Sequence, residues 1–337
     1  MSETTWLTDM PSLSKLYVNA AATAAKGRLL RPSHEASLPS QAVEVRGVHA
    51  DLAKVTQFAH LMGEPARDVL PSGYLHALAF PVAMSVMVHE EFPLPLLGMI
   101  HLHNEVEHFS PVLFSDELCV RAWARELAGH RSGTAVKIVA EIHNADGTLL
   151  LWRGVSSYLA KGVYLPGLDK HAGEATGDTG HAADFVPPTP TAQWRLGVDA
   201  GRAYAAVSGD FNPIHLSVLS AKALGLRRSI AHGMYAASRV LATVPVAKPE
   251  AFNWNISFNS PIFLPATVSL EVLDSRTQDG GWRGATFTAW NAHTRRKHFS
   301  GAVTACGPEL KEPVQAEKGP LAKVRTGNAG WMRPPGR

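Results

Sequence analysis

The amino-acid sequence predicts an α+β fold made of two tandem copies of one unit, in which a long central helix is wrapped by an antiparallel sheet. The duplication is visible in residues 103–160 and 253–305, which share their internal spacing. Ser110-Pro111 in the first segment and Ser260-Pro261 in the second are each followed by alternating strands. Two such units side by side would form one pseudo-dimer from a single polypeptide.

The strands themselves are predicted by alternation and by turn residues. Residues 134–144 and 284–294 alternate or are rich in β-branched and aromatic residues. Turns are predicted at Asp146-Gly147 and Gly280-Gly281, where glycine permits tight backbone conformations. Each unit is therefore expected to contain an antiparallel meander after its helix.

Composition shifts divide the chain into five segments. Residues 165–194 are rich in Gly, Asp, Thr and Pro, which is typical of a linker between compact units. We predict an N-terminal extension (1–40), a first unit (41–164), this linker (165–194), a second unit (195–307) and a disordered basic tail (308–337).

Charge and cysteine content restrict the class of protein. The net charge of +3 equals the surplus of Lys and Arg after residue 308, so the two units are near neutral and no nucleic-acid partner is expected. Only Cys119 and Cys306 occur, which argues against disulfides and a zinc site. Without a long apolar run or a basic leader, we expect a cytoplasmic protein with no membrane partner.

The most informative stretch is residues 204–215, which place Asp210 and His215 five positions apart. Asn212 followed by Pro213 predicts a helix N-cap with proline at the first helical position, and the helix is expected to run to Gly225. A carboxylate and an imidazole close together at a helix start are suited to acid–base chemistry.

A second motif lies at residues 229–240, where a short apolar approach leads through His232 and Gly233 into a helix. A glycine at a helix start leaves backbone N–H groups accessible at the positive end of the helix dipole. Such a group could form an oxyanion hole. The small residues Ala236 and Ala237 also suit a helix that a sheet must enclose.

These motifs resemble the MaoC-like hydratase family, also called R-specific enoyl-CoA hydratases or hydratase 2, which has the hot-dog fold. The match comprises Tyr204, Ser208-Gly209-Asp210, Asn212-Pro213-Ile214-His215, Ala221, Gly225 and Ile230-Ala231-His232-Gly233-Met234. The resemblance covers about 110 residues strongly and implies a double hot-dog chain. It implies catalytic roles for Asp210 and His215, with Gly233 as the oxyanion donor.

Further residues are expected to contact the substrate. Ser208, Asn212 and His232 surround the dyad in the sequence, although Asn212 is equally suited to capping its helix. Arg227 and Arg228 could bind the phosphates of coenzyme A or of a phosphopantetheine arm, or could belong to a solvated helix face. No cofactor and no metal are expected, because neither a phosphate loop nor a convincing ligand cluster is present.

The first unit resembles the second but lacks the dyad. Residues 58–64 resemble 204–210 and end on Glu64, but Val69 stands where a histidine would be needed. Residues 75–78 resemble 231–234, with Ala77 in place of Gly233. We expect a sister domain that lost catalysis and makes room for a bulkier acyl chain.

The predicted function is a hydro-lyase that adds water to a 2-enoyl thioester or removes it from a (3R)-3-hydroxyacyl thioester. The predicted substrate partner is an acyl-CoA or an acyl group on a carrier protein. A 3-hydroxyacyl-ACP dehydratase, a mesaconyl-CoA-type hydratase and a non-catalytic thioester-binding protein remain alternatives. A homodimer is also possible.

Overall fold

The computed structural model describes residues 4–27, 37–169, 185–244 and 250–306 of the chain. The predicted tail (308–337) lies outside the described residues, as does half of the predicted linker (170–184). Within the described ranges, no helix is long and apolar enough to cross a membrane.

The N-terminal half contains a short strand and helix followed by the first predicted unit. Its elements in order are β1 (Thr4–Leu7), α1 (Leu13–Gly27), β2 (Ala42–Val48), α2 (Leu52–Met62), α3 (Ser72–Met87), β3 (Met99–His108), β4 (Leu118–His130), β5 (Gly133–Asn144) and β6 (Leu150–Lys161).

The C-terminal half repeats this order and adds two short helices before its central helix. Its elements are β7 (Ala192–Leu196), α4 (Ala200–Ser208), α5 (Pro213–Leu216), α6 (Val218–Ala223), α7 (Gly233–Thr243), β8 (Phe252–Phe258), β9 (Ala266–Arg276), β10 (Trp282–Asn291) and β11 (Lys297–Ala305). Because β7 begins at Ala192, the predicted linker boundary at Trp194 falls inside a strand and is wrong by three residues.

The eleven strands of the described residues form one sheet, in the order β1-β2-β4-β5-β6-β3-β8-β11-β10-β9-β7. Read outward from the centre, each half has the same strand pattern, and the two halves meet where β3 pairs antiparallel with β8. The sheet wraps the two central helices, α3 and α7. The predicted double hot-dog architecture is confirmed, and so are the glycine turns, with positive φ at Gly147 and Gly280.

The central helices bury most of their surface between the halves. In α3 the apolar residues surround the whole helix, which is typical of a helix enclosed on all sides. A side chain at Gly73 in α3 would collide with the Ser238 hydroxyl of α7, so the glycine permits close approach of the two helices. The helices and the sheet share one continuous apolar core.

The N-terminal extension is part of this fold. β1 pairs in parallel with β2 at the outer edge of the sheet. The helix α1 follows and runs from Leu13 to Gly27. Leu13 and Ala20 are buried on the same side of α1, which fixes that side of the helix against the core.

Candidate active site

Asp210 follows the end of α4, and a glycine turn orients it. Gly209 ends α4 in the left-handed conformation, with φ of 77°. The Ser208 hydroxyl donates to the Tyr204 carbonyl at 2.8 Å and accepts from the Asp210 N–H at 3.2 Å. The Ser208 hydroxyl thus contacts the backbone that holds Asp210, and its contact with substrate stays a prediction.

Asn212 caps the next helix, as its sequence position predicts. Its side-chain oxygen accepts from the Ile214 N–H at 3.4 Å, and Pro213 occupies the first helical position. The Asn212 N–H also donates to Asp210 Oδ1 at 3.2 Å. The Asn212 side chain thus caps the helix and its backbone N–H helps to orient the carboxylate, while its contact with substrate stays a prediction.

The helix predicted to run from Pro213 to Gly225 is divided into α5 and α6. Ser217 has extended backbone angles between them, and its hydroxyl caps α6 by accepting from the Ser220 N–H at 3.0 Å. The sequence interpretation was wrong here because apolar spacing persists across a serine that forms a better cap than a helix interior.

His215 lies in α5 and is buried. Its Nδ1 is 2.9 Å from the Ile230 carbonyl. Because a carbonyl only accepts, Nδ1 carries the hydrogen, and Nε2 of the neutral ring is a free base. Burial, and then the neighbouring His232, lower the pKa of His215 to about 3. The ring is therefore neutral at physiological pH, with Nε2 unprotonated.

His232 is the residue immediately before α7, and it connects the two motifs. Its Nε2 lies 2.9 Å from the Asp210 backbone carbonyl and therefore donates to it. Its ring stacks on the His215 ring, with centroids 3.6 Å apart. Burial lowers the pKa of His232. His232 thus ties the Asp210 turn to the start of α7, and its contact with substrate stays a prediction.

Gly233 is the first residue of α7, and the cap of this helix makes no side-chain hydrogen bond. Among the described residues, no partner accepts the Gly233 N–H. A Cβ at this position would lie 3.0 Å from the Phe258 ring. The position therefore combines an available donor, the positive end of a helix dipole and a tightly packed backbone, as an oxyanion site requires.

Asp210, His215 and His232 are also close enough together to be considered as metal ligands. One ligand atom from each of Asp210, His215 and His232 lies within 4.8 Å of the other two. However, the imidazole planes differ by only 26° and are stacked, so their in-plane lone pairs do not point to a common position. One nitrogen of each ring is also occupied by a backbone carbonyl. The geometry favours a hydrogen-bonded network over a metal centre.

Tyr17 is a site residue that the sequence interpretation missed. Its hydroxyl, on α1, donates to Asp210 Oδ1 across 2.5 Å. Burial and the Asp210 charge raise the pKa of Tyr17 above its usual 10, so the hydroxyl stays protonated. The spacing of Leu13, Leu16, Tyr17 and Ala20 indicates one helix face, but nothing in it indicates what that face contacts 193 residues away.

The comparison with known proteins agrees with this geometry. The chain is 33% identical over 261 residues to 3-hydroxyacyl-thioester dehydratase X of Mycobacterium tuberculosis (strain ATCC 25618 / H37Rv), covering 77% of this chain and 88% of that protein. The chain belongs to the MaoC-like dehydratase family. A family model described as a MaoC like domain matches residues 175–295, the region that contains both motifs of this MaoC-like chain.

Solved structures show the same architecture. The crystal structure of HtdX from Mycobacterium tuberculosis is 30% identical, has a TM-score of 0.66 and aligns over 79% of this chain and 100% of that one. A MaoC-like dehydratase from Phytophthora capsici aligns over 80% of this chain and 95% of its own, with a TM-score of 0.60. Because its identity is 16%, this second match supports the fold alone.

In this MaoC-like chain the first unit retains the helix end but not the motif after it. α2 ends at the left-handed Gly63 as α4 ends at Gly209, so Glu64 corresponds to Asp210 as predicted. Only residues 64–71 then precede α3, whereas 210–232 precede α7. The first unit lacks the entire segment that carries His215.

The residue that corresponds to Gly233 is Ser72, and the prediction of Ala77 was wrong. Ser72 is the first residue of α3, whereas Ala77 lies a turn and a half inside it. The Ser72 hydroxyl lies 2.6 Å from His108 Nε2 and 2.7 Å from Trp254 Nε1. At the start of α3 the Ser72 side chain is thus engaged by His108 and Trp254, where α7 has the bare backbone of Gly233.

Arg227 and Arg228 lie apart from the network around Asp210. Both are exposed, just before the strand-like residues that lead to His232. Their guanidinium carbons lie 4.3 and 6.0 Å from the centre of the Phe263 ring. Phosphate binding by these side chains stays a prediction, and no contact brings them to Asp210 or His215.

Proposed function

We propose that this chain is a hydro-lyase that interconverts 2-enoyl and (3R)-3-hydroxyacyl thioesters, with Asp210 and His215 as its acid–base residues and the Gly233 N–H as the oxyanion donor. One observation carries the proposal. The Asp210 turn and the His215 ring both contact His232, the residue directly before the free N–H of Gly233.

In the hydration direction, the attacking water would lie between Asp210 and His215. Asp210 Oδ2 accepts no hydrogen bond from the described residues and is free to hold the water, while His215 Nε2 takes a proton from it. The water oxygen bonds to the β-carbon, and the displaced π electrons form an enolate. The proton then passes from His215 to the α-carbon, which leaves one water added in total.

The enolate oxygen is where charge accumulates. The Gly233 N–H donates to it at the positive end of α7, and a donor of this kind is worth about 3–4 kcal/mol in the transition state. A bound thioester must therefore place its carbonyl at the start of α7 and its β-carbon beside Asp210.

The acyl chain would continue toward the first unit. A narrow cavity there lies between α3 and the sheet and is lined by His76, Phe80, Ala83, Ile138, Ala140, Trp152, Gly154, Ser156 and Tyr158. His76 and Tyr158 both sense the charge of Asp210, so this end of the cavity is close to the carboxylate. Met84, one residue after Ala83 in α3, is fully buried in the core.

The proposal is tested with purified protein and crotonyl-CoA or longer 2-enoyl-CoAs, by following the absorbance of the conjugated thioester. We expect turnover by the unmodified chain and a loss of about 10²–10⁴-fold in Asp210→Asn, because an amide cannot replace the acid–base group. The same acyl groups on a carrier protein would rank the two carriers. Binding of these thioesters without turnover would indicate a non-catalytic protein and would overturn the proposal.

A further inference from the structure

We propose that Tyr17, on the N-terminal helix, is a positioning residue that holds the catalytic carboxylate with one oxygen toward the substrate. This inference rests on the proposed function of Asp210. It extends the active site to a segment that precedes both hot-dog units, and it makes the N-terminal extension a component of the catalytic machinery.

The two oxygens of the Asp210 carboxylate have different partners. Oδ1 accepts from the Tyr17 hydroxyl and from the Asn212 N–H. Oδ2 lies 3.8 Å from His232 Nε2, beyond hydrogen-bond range, and is left for the reacting water. Without Tyr17 the carboxylate could rotate about its Cβ–Cγ bond and exchange the two oxygens.

The negative charge of Asp210 is surrounded by neutral groups. The groups that sense Asp210 electrostatically come from every element around it: Tyr17, His76, Tyr158, Tyr204, His215 and His232. The three histidines have lowered pKa values because they are buried, so none supplies a positive charge at neutral pH. The direct donors to the carboxylate are therefore the Tyr17 hydroxyl and the Asn212 N–H, and Tyr17 is the one that comes from a side chain.

The helix α1 is held in place independently of Tyr17. β1 anchors the start of the extension to the edge of the first unit. One turn before Tyr17, the buried Leu13 approaches Gly209, which begins the Asp210 turn. One turn after it, Ala20 is buried as well. Removing the Tyr17 oxygen alone should leave the position of the helix unchanged.

The experiment compares Tyr17→Phe with the unmodified chain in the hydration assay. A hydrogen bond to a charged group contributes about 1.5–3 kcal/mol, so we expect kcat to fall about 10- to 150-fold. KM should stay within about threefold, because the interaction acts in the transition state and not on ground-state binding. Measuring kcat of both proteins across a range of pH adds a readout that a merely structural role would not move.

The matched control is Tyr164→Phe. The Tyr164 hydroxyl donates to the Arg131 carbonyl at 3.2 Å on an exposed part of the first unit, so its removal should leave kcat and the pH profile unchanged. Thermal unfolding of all three proteins would show whether Tyr17→Phe is folded as the unmodified chain is. A loss of activity that merely follows lost folded protein would contradict a positioning role.

Two outcomes separate the inference from the function on which it rests. If the unmodified chain turns over enoyl thioesters and Tyr17→Phe matches it in kcat and pH profile, the role of Tyr17 is wrong and the hydro-lyase stands. If the unmodified chain has no turnover, the proposed function fails first. If KM rises while kcat is constant, Tyr17 contributes to substrate binding and the positioning role is overturned.

Discussion

At the residue scale, the state of His215 follows from one contact. Its Nδ1 must donate to the Ile230 carbonyl, which leaves Nε2 as the atom that can accept a proton. Burial keeps the ring neutral, with a pKa of about 3. Oδ1 of Asp210 accepts two hydrogen bonds, which leave Oδ2 to hold the water. The structure therefore favours His215 as the base and Asp210 as the group that holds the water.

Two substitutions of His215 test this assignment. In His215→Asn the amide nitrogen replaces Nδ1 toward Ile230 and nothing replaces Nε2, whereas in His215→Gln a polar atom replaces Nε2 but cannot serve as a base. We expect both to lose about 10²–10⁴-fold in kcat. Enoyl-CoA hydration assays of both variants and the unmodified chain measure this loss. Near-normal turnover in the glutamine variant would mean that His215 orients the water without taking its proton.

At the scale of elements, the two central helices depend on a small contact. Gly73 of α3 faces Ser238 of α7, whose hydroxyl donates back to the Met234 carbonyl at 2.6 Å. The start of α7 carries Gly233, so the spacing between the helices also affects where the oxyanion donor lies. The sequence shows a glycine near a helix start but not the helix that it meets.

We predict that Gly73→Ala lowers the free energy of unfolding by about 1–3 kcal/mol, because the added methyl group overpacks the contact with Ser238. The double variant with Ser238→Gly should recover most of that loss, since it removes the atoms in collision. Urea unfolding of the two single variants and the double variant measures the coupling. Strict additivity of the two changes would show that the helices do not meet as described.

At the scale of the whole molecule, the duplication places one active site and one sister unit in a single sheet. The halves join through β3 and β8, which is the contact that two separate subunits would otherwise make. The first unit lost the segment that carries His215, and Ser72 with its partners fills the site of the oxyanion donor. Further association into a homodimer stays a prediction.

The buried histidines should make the whole fold sensitive to acid. Burial lowers the pKa to about 4 for His76 and His298, and to about 3 for His101 and His215, from the ordinary 6.5. Between pH 6.5 and those values the unfolded chain binds protons that the folded chain does not. Stability is therefore complete above pH 6.5 and falls as the pH falls, by up to about 1.4 kcal/mol per unit for each ring.

Urea unfolding at intervals from pH 7.5 to 4.5 measures this slope. A variant that removes one ring, His101→Phe, should have a slope smaller by about one proton, because phenylalanine keeps the stacking on Tyr158 but cannot titrate. Constant stability across that range would show that these histidines are accessible to protons in the folded state.

Much of the fold and part of the site could be inferred from local patterns. Alternation and glycine turns indicated the strands, because the two faces of a sheet require different residues in alternation and positive φ angles favour glycine. Gly209, Asn212-Pro213 and His232-Gly233 indicated helix ends for the same reason. The candidate site residues Asp210, His215 and Gly233 could therefore be predicted from the sequence.

Contacts between distant segments could not be predicted from the sequence. Tyr17 meets Asp210, Ser72 occupies the position that Ala77 was expected to fill, and Ser217 divides a helix whose apolar spacing seemed continuous. Each of these contacts depends on which surfaces meet after folding. Burial and the register of the sheet determine which surfaces those are. Short-range patterns specify the conformation of a segment, but the partner of a side chain is set by the packing of the whole molecule.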